Sequence, residues 1–180
     1  MLKKITVLLL AVGVILIPNS ANASTHAKSL QNLGMNEIMF AQMMIPHHEQ
    51  AISMSETALK KSRNQVILKL SKQIKSLQGT EKSQLAYWLK ATDSSMTMDH
   101  DMQMSGMLTV KELASLKRLT GTQFDRTFLQ LMIKHHQGAI EMVDLISDSK
   151  NLEAKALAKA IKSAQSKEIT SMKLLLKKLK

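Results

Sequence analysis

The segment FAQMMIPHHEQAISM, from Phe40 to Met54, returns as FLQLMIKHHQGAIEM from Phe128 to Met142. Phenylalanine, Met-Ile, His-His, Ala-Ile and a final methionine recur at a fixed offset of 88 residues. Such internal repetition predicts two copies of one structural unit. The repeat continues at an offset of 87 in the segment that follows, where three residues recur: Ile74, Gln78 and Glu81 as Ile161, Gln165 and Glu168.

Each copy has the pattern of a helical hairpin. Apolar periodicity and polar turns predict long helices over about 35–61 and 65–91, and again over about 122–147 and 152–177. The longer connection, about 93–121, is polar and methionine-rich at first and then forms a short helix. A Thr109–Glu112 capping box would start that helix and Gly121 would close it. The fold class is therefore all-α, a four-helix bundle of two repeated hairpins with halves of about 35–91 and 122–178.

Several local expectations follow from the same pattern. Asp125 stands three residues after Thr122, as in a capping box. Pro46 removes one backbone hydrogen bond and should kink or break the first helix. The turn after the third helix is supplied by Asp148, Ser149 and Asn151. Three methionines outside the repeated motif are expected in the core: Met35, Met39 and Met172.

Composition narrows the class of protein. The chain has 180 residues, a formal net charge of +11, 14 methionines, no cysteine and 3% aromatic residues. The absence of cysteine excludes disulfides and thiolate metal sites, and the scarcity of aromatic residues argues against stacking platforms for single-stranded nucleic acid. Residues 1–23 resemble a cleaved secretory signal peptide, which leaves one domain over 24–180 in the periplasm or secreted. Such a compartment is oxidising, and there a sulfur ligand for a metal is less easily lost to oxidation when it is methionine than when it is cysteine.

The two histidines of each motif cannot point the same way, because neighbouring helical residues differ by about 100°. His47 shares a stripe with Phe40, Met43 and Met54, and the second copy repeats that stripe. A single histidine there would more often be a core residue, but two Met-preceded pairs in one bundle favour metal binding. A site with imidazole and thioether ligands selects copper and favours Cu(I), with Cu(II) as the alternative valence. The candidate bundle ligands are Met43, Met44, His47, His48, Met54, Met132, His135, His136 and Met142.

The central connection forms a second candidate site. Its methionines follow no apolar periodicity, and a polar loop gains little from methionine, so core packing does not explain them. A chain of thioethers with one imidazole can wrap a soft monovalent ion. The candidate ligands in the connection are Met96, Met98, His100, Met102, Met104 and Met107.

These motifs resemble the domain of unknown function 305 family, through MIPHHEQAI, FDRTFLQLM and MIKHHQGAIEM over about residues 35–176. The resemblance implies a ferritin-like fold and, through CopM-type members, copper binding in the periplasm or outside the cell. Ser105 precedes Gly106 where the family often has proline, which puts the loop geometry in question. The residues that the resemblance implicates are Met44, His47, His48, Met54, Met132, His135, His136 and Met142.

Three functions compete at this point. The first is an exported, non-enzymatic protein that sequesters or delivers copper, with the metal ion and other copper-handling envelope proteins as partners. It would have no nucleic-acid partner and no membrane span in the mature chain. The second is a structural or interaction bundle in which the histidines only pack. The third is a ferritin-like di-metal oxidase, which is disfavoured because no glutamate stands three residues before any histidine.

Overall fold

Four helices of equal length, 27 residues each, make up most of the structure, which is a computed structural model that describes residues 32–97 and 104–179. A short fifth helix joins the two halves, and the described residues contain no strand. The all-α, two-hairpin fold is thereby confirmed. The predicted signal peptide, residues 1–23, lies outside the described residues. In chain order the helices are α1 (Met35–Lys61), α2 (Gln65–Ala91), α3 (Val110–Arg118), α4 (Gly121–Ser147) and α5 (Leu152–Lys178).

The two hairpins turn by the same local chemistry. Asn64 and Asn151 are the N-caps of α2 and α5, and each side chain accepts a hydrogen bond from the first turn of its helix. The backbone N–H of each asparagine in turn donates to a serine two residues earlier, Ser62 or Ser149. This repeated Ser-x-Asn turn explains why the hairpin boundaries lie where the sequence predicts them.

The hairpins pack through α1 and α4, which lie at the centre of the molecule. α1 packs on α2, α4 packs on α5, and α1 packs on α4. The second helices meet as well, since Trp88 on α2 donates its indole N–H to Glu153 on α5 at 3.0 Å. The end of α2 therefore lies beside the start of α5, so these two helices run antiparallel. Every motif histidine is placed in the interior by this arrangement.

The short helix α3 begins as predicted, because Thr109 and Glu112 form a reciprocal capping box. Lys134 on α4 bonds to Glu112 at 2.8 Å, and this bond with the Thr109 contacts lowers the pKa of Glu112 to about 2. The expected stop at Gly121 is wrong. α3 ends at Arg118 with Leu119 as its C-cap, and Gly121, with a φ of 58°, is the first residue of α4.

Three further expectations need correction. Thr120, not Thr122, is the N-cap of α4, so Asp125 is no capping residue and instead lies buried inside the helix. Pro46 does not break α1, which continues through it. Met35 is 77% exposed because it occupies the first position of α1, before the helix reaches its neighbours; Met172 is buried as expected and Met39 is half-buried. No helix in residues 32–97 or 104–179 is long and apolar enough to cross a membrane.

Candidate metal centre

The first histidines of the two motifs meet where α1 and α4 pack together. The ring centroids of His47 and His135 are 3.7 Å apart, and neither side chain is exposed to solvent. The two residues are 88 positions apart in sequence, so the contact joins equivalent points of the two copies. The contact gives the molecule an approximate two-fold relation centred on this pair.

Four methionines flank the histidine pair, two on each side. Met44 of α1 and Met142 of α4 belong to one core cluster, while Met54 and Met132 belong to the other. The early methionine of one helix thus pairs with the late methionine of the other, as antiparallel helices require. All four are buried, and half-buried Met43 packs against the first cluster. The predicted thioether ligands of the bundle are therefore buried between the helices, in two clusters on the two sides of the rings.

The second histidine of each motif faces its own hairpin partner. His136 Nε2 is 2.7 Å from Glu168 Oε2 on α5. His48 Nε2 is 2.9 Å from Glu81 Oε2 on α2, an ion-pair distance without hydrogen-bond alignment. Glu81 and Glu168 are related by the repeat offset of 87 residues, so the sequence did contain a signal for them. The candidate ligands nevertheless do not include either glutamate.

Two glutamines complete the polar layer. Gln78 and Gln165 stand one helical turn before Glu81 and Glu168, and both are buried. Their amide nitrogen and oxygen atoms have no hydrogen-bond partner within the described residues. Buried polar groups are usually bonded, so this layer departs from ordinary core packing in both copies at once.

Burial keeps the central imidazoles neutral. Desolvation and the nearby His48 lower the pKa of His47 to about 3, although a bond to the Ser105 carbonyl opposes the shift. Desolvation, followed by the charges of His47 and His136, holds the pKa of His135 well below its usual value. A neutral imidazole keeps the lone pair that a metal requires.

Three of the four histidines share one arrangement of their ring nitrogens. Nε2 faces an oxygen, which is the Ser105 carbonyl at 3.2 Å for His47 and a glutamate for His48 and His136. Nδ1 of each is buried and has no hydrogen-bond partner among the described residues. A carbonyl only accepts, so Nε2 of His47 carries the proton and Nδ1 the lone pair. For His135 neither ring nitrogen has a well-aligned partner there, and only a contact with the His47 backbone opposes the desolvation of the ring.

Part of the central connection lies over this layer. Met104 packs against the core cluster that contains Met44 and Met142, and the Ser105 carbonyl contacts His47. Met107 is half-buried and Met96 is 49% exposed. The other candidate ligands of the connection, Met98, His100 and Met102, lie outside the described residues.

The ligand types within the described residues are mostly soft. No group of three or more His, Asp or Glu side chains in 32–97 and 104–179 has a metal-holding arrangement. The side chains near the helix crossing that can bind a metal are instead the imidazoles of His47 and His135 and the thioethers of the two methionine clusters beside them. The site therefore differs from the carboxylate-rich centres of ferritin-like oxidases.

Comparisons with known proteins agree with this architecture. The family model described as Domain of unknown function (DUF305) matches residues 37–176. A DUF305 fragment from Deinococcus radiodurans is 31% identical, with a TM-score of 0.75 over 81% of this chain and 98% of that one. CopM in the Cu(I)-bound form is 29% identical, with a TM-score of 0.67 over 79% of this chain and 96% of that one. CopM in the Cu(II)-bound form is 28% identical, with a TM-score of 0.69 over the same shares. No curated protein sequence matches the chain significantly.

Proposed function

The chain belongs to the DUF305 family, and from that premise we propose that it is a non-enzymatic protein that binds copper, preferentially Cu(I), at the crossing of α1 and α4. Its role would be to sequester the ion or to deliver it to another copper-handling protein of the cell envelope. The predicted signal peptide supports a place of action in the periplasm or outside the cell. Copper is cargo in this proposal and not a catalytic cofactor.

The observation that carries the proposal is the state of the ring nitrogens. Metal-bound histidines generally direct their second nitrogen to a carboxylate or a carbonyl, which orients the ring. His47, His48 and His136 have such an oxygen at Nε2 and a buried Nδ1 without a partner among the described residues. Each therefore has its orienting contact in place and one nitrogen left for a ligand.

The neighbouring methionines favour the cuprous ion. Thioether is a soft, neutral donor that suits Cu(I), while imidazole accepts either valence. Met44 and Met142 lie in one buried cluster and Met54 and Met132 in another, on the two sides of the His47–His135 pair along α1 and α4. The similar CopM structures carry Cu(I), Cu(II) or silver, and silver shares the ligand preferences of Cu(I). The proposal therefore ranks Cu(I) first and keeps Cu(II) as a second state.

A structural bundle is the second candidate function. His48 and His136 each contact a glutamate of their own hairpin, and such pairs also satisfy histidines that have only a packing role. The His135 ring argues against this reading, because no well-aligned hydrogen bond within the described residues compensates for its burial and only a contact with the His47 backbone opposes its desolvation. The oxidase hypothesis is weaker, since the described residues offer no cluster of three oxygen or nitrogen ligands.

The test is an anaerobic titration of the purified protein with Cu(I) against a chromophoric chelator of known affinity, with Zn(II) in parallel. We expect the double change Met44→Leu and Met132→Leu to weaken Cu(I) binding by at least about tenfold, since even outer-shell changes at metal sites cost about 10–100-fold. Leucine has nearly the volume of methionine, so the fold should persist. Met35→Leu, on the exposed start of α1, is the matched control and should bind normally.

Two outcomes would contradict the proposal. One is that the protein fails to compete for Cu(I) at all, which leaves the structural bundle as the better description. The other is Cu(I) binding that is unchanged in the double variant and lost when the methionines of the connection become leucine. That result would move the site out of the bundle.

A further inference from the structure

The outer face formed by α2 and α5 has an unusual distribution of charge. These two helices carry twelve lysines and three glutamates. All three glutamates face inward: Glu81 and Glu168 contact the histidines, and Glu153 bonds to Trp88 and Gln84. The inward use of every carboxylate leaves the outer side of both helices purely cationic.

Within the described residues, three of these twelve lysines are paired with carboxylates, and nine are not. Lys75 and Lys82 contact glutamates of α1, and Lys162 contacts Asp144 of α4. The other lysines of α2 and α5 are exposed and have no carboxylate partner within residues 32–97 and 104–179. They are Lys69, Lys72, Lys90, Lys155, Lys159, Lys167, Lys173, Lys177 and Lys178. By contrast, α1 and α4 expose acidic residues, among them Glu49, Glu141 and Asp144.

Large apolar side chains are exposed at both ends of the same face. Val66 of α2 and Leu174 of α5 are 58% and 54% exposed. At the other end Tyr87 and Leu152 are 52% and 80% exposed. Because α2 and α5 are antiparallel, the two pairs bracket six of the nine unpaired lysines over about 32 Å of helix. Four of the seven large exposed apolar residues identified in the described structure thus lie on these two helices.

We propose that the α2–α5 face binds peripherally to membranes that contain anionic phospholipid. A lysine-rich face with exposed apolar side chains at its ends combines the two contributions to binding at such surfaces, which are burial of apolar area and attraction to anionic lipid. Each lysine near an anionic leaflet adds attraction, and two antiparallel helices present a broad face on which several lysines act together. Arginine, which favours bidentate contacts to nucleic-acid phosphates, does not occur on α2 or α5.

Membrane binding and copper binding would occupy opposite sides of these helices. The lysines point outward from α2 and α5, whereas Glu81 and Glu168 point inward to the histidines. The proposal therefore does not rest on copper binding, and the two can be lost separately.

The test is co-sedimentation of the purified protein with vesicles of phosphatidylcholine, with and without phosphatidylglycerol. We expect binding only to the anionic vesicles, and less of it at high ionic strength. The triple change Lys69→Glu, Lys159→Glu and Lys167→Glu should weaken vesicle binding by more than about tenfold and leave Cu(I) affinity unchanged. The control, Lys60→Glu, Lys111→Glu and Lys117→Glu, alters the net charge equally on α1 and α3 and should change binding by less than about twofold.

A second variant separates a lipid surface from other polyanions. Leu152→Gln with Leu174→Gln keeps every charge and removes two exposed apolar side chains, so it should weaken binding to vesicles but not to a DNA duplex. The proposal is overturned if the protein ignores anionic vesicles or if both triple variants lose binding equally. Vesicle binding that is unaffected by the leucine changes and competed away by duplex DNA would also overturn it, in favour of general polyanion binding.

Discussion

His47 and His135 are polar side chains that are fully buried at the centre of the molecule. A buried polar atom without a hydrogen bond costs free energy that ordinary cores avoid. One ring nitrogen of His47 bonds to the Ser105 carbonyl, while the His135 ring has no well-aligned hydrogen bond among the described residues and only a contact with the His47 backbone. Their burial lowers both pKa values, so the rings stay neutral well below the usual histidine range. The folded protein is therefore less stable than it would be with an apolar pair at these two positions. The histidines instead provide two ring nitrogens that can bind a metal.

This burial makes the metal-free protein sensitive to acid. In the unfolded chain these histidines titrate near pH 6.5, whereas in the folded protein the pKa of His47 is about 3. Between those values the unfolded state binds more protons, so stability must fall as the pH drops below about 6.5. We expect His135→Gln to reduce this pH dependence, as measured by urea unfolding of the metal-free protein at several pH values. Met35→Leu should keep the parental slope, and an unchanged slope in His135→Gln would show that His135 does not titrate in this way.

The connection between the hairpins is held against α4 by close backbone contact. Gly106, with a φ of 76°, lies against Gly138 of α4, and its neighbour Ser105 contacts His47. Gln50 of α1 bonds to both the N–H and the carbonyl of Leu108. These contacts place residues 104–108 directly over the histidine pair. A side chain at position 138 would leave no room for this passage.

Two glycine-to-alanine changes should therefore act in opposite directions. A Cβ at Gly138 would lie 2.1 Å from the Ser105 carbonyl oxygen, which is far inside contact distance. A Cβ at Gly79, in the middle of α2, would meet nothing within 4 Å. We expect Gly138→Ala to lower the free energy of unfolding by more than about 1 kcal/mol and Gly79→Ala to raise it by about 0.5–1 kcal/mol. Equal effects in urea unfolding would disprove the close passage of residues 104–108.

At the scale of the whole molecule, the candidate site joins the two halves of the repeat. α1 belongs to the first hairpin and α4 to the second, and the His47–His135 pair lies between them. The methionine pairs also combine one residue from each hairpin, Met44 with Met142 and Met54 with Met132. An ion bound there would link the hairpins in addition to occupying the core.

Copper should accordingly stabilise the folded protein. A ligand that binds only the folded state adds about 2.7 kcal/mol at 100 times its dissociation constant. We expect Cu(I) to raise the midpoint of thermal unfolding measured without oxygen, with Zn(II) raising it less because thioethers bind zinc poorly. The Met44→Leu, Met132→Leu variant should unfold near the parental temperature without metal and lose most of the shift. A shift of the same size in that variant would argue against a site between the hairpins.

The local features of this protein follow from its sequence. Capping residues and apolar periodicity act within a few positions, so the four long helices, their turns and the start of α3 could all be predicted to within a residue or so. The repeat likewise predicted that His47 and His135 would occupy equivalent positions. The predictions from local sequence were wrong at Gly121 and Asp125. Several helix-start signals lie close together there, and the packing of α4 determines at which of them the helix begins.

The partners of the site residues required the tertiary structure. The contact of His47 with His135 depends on where α1 crosses α4, and that crossing results from packing across the whole core. The Glu81 and Glu168 contacts depend on hairpin register, and the Ser105 contact depends on the path of the connection. Spacing along a helix determines which direction a side chain points, but only the packing of distant helices decides what it meets.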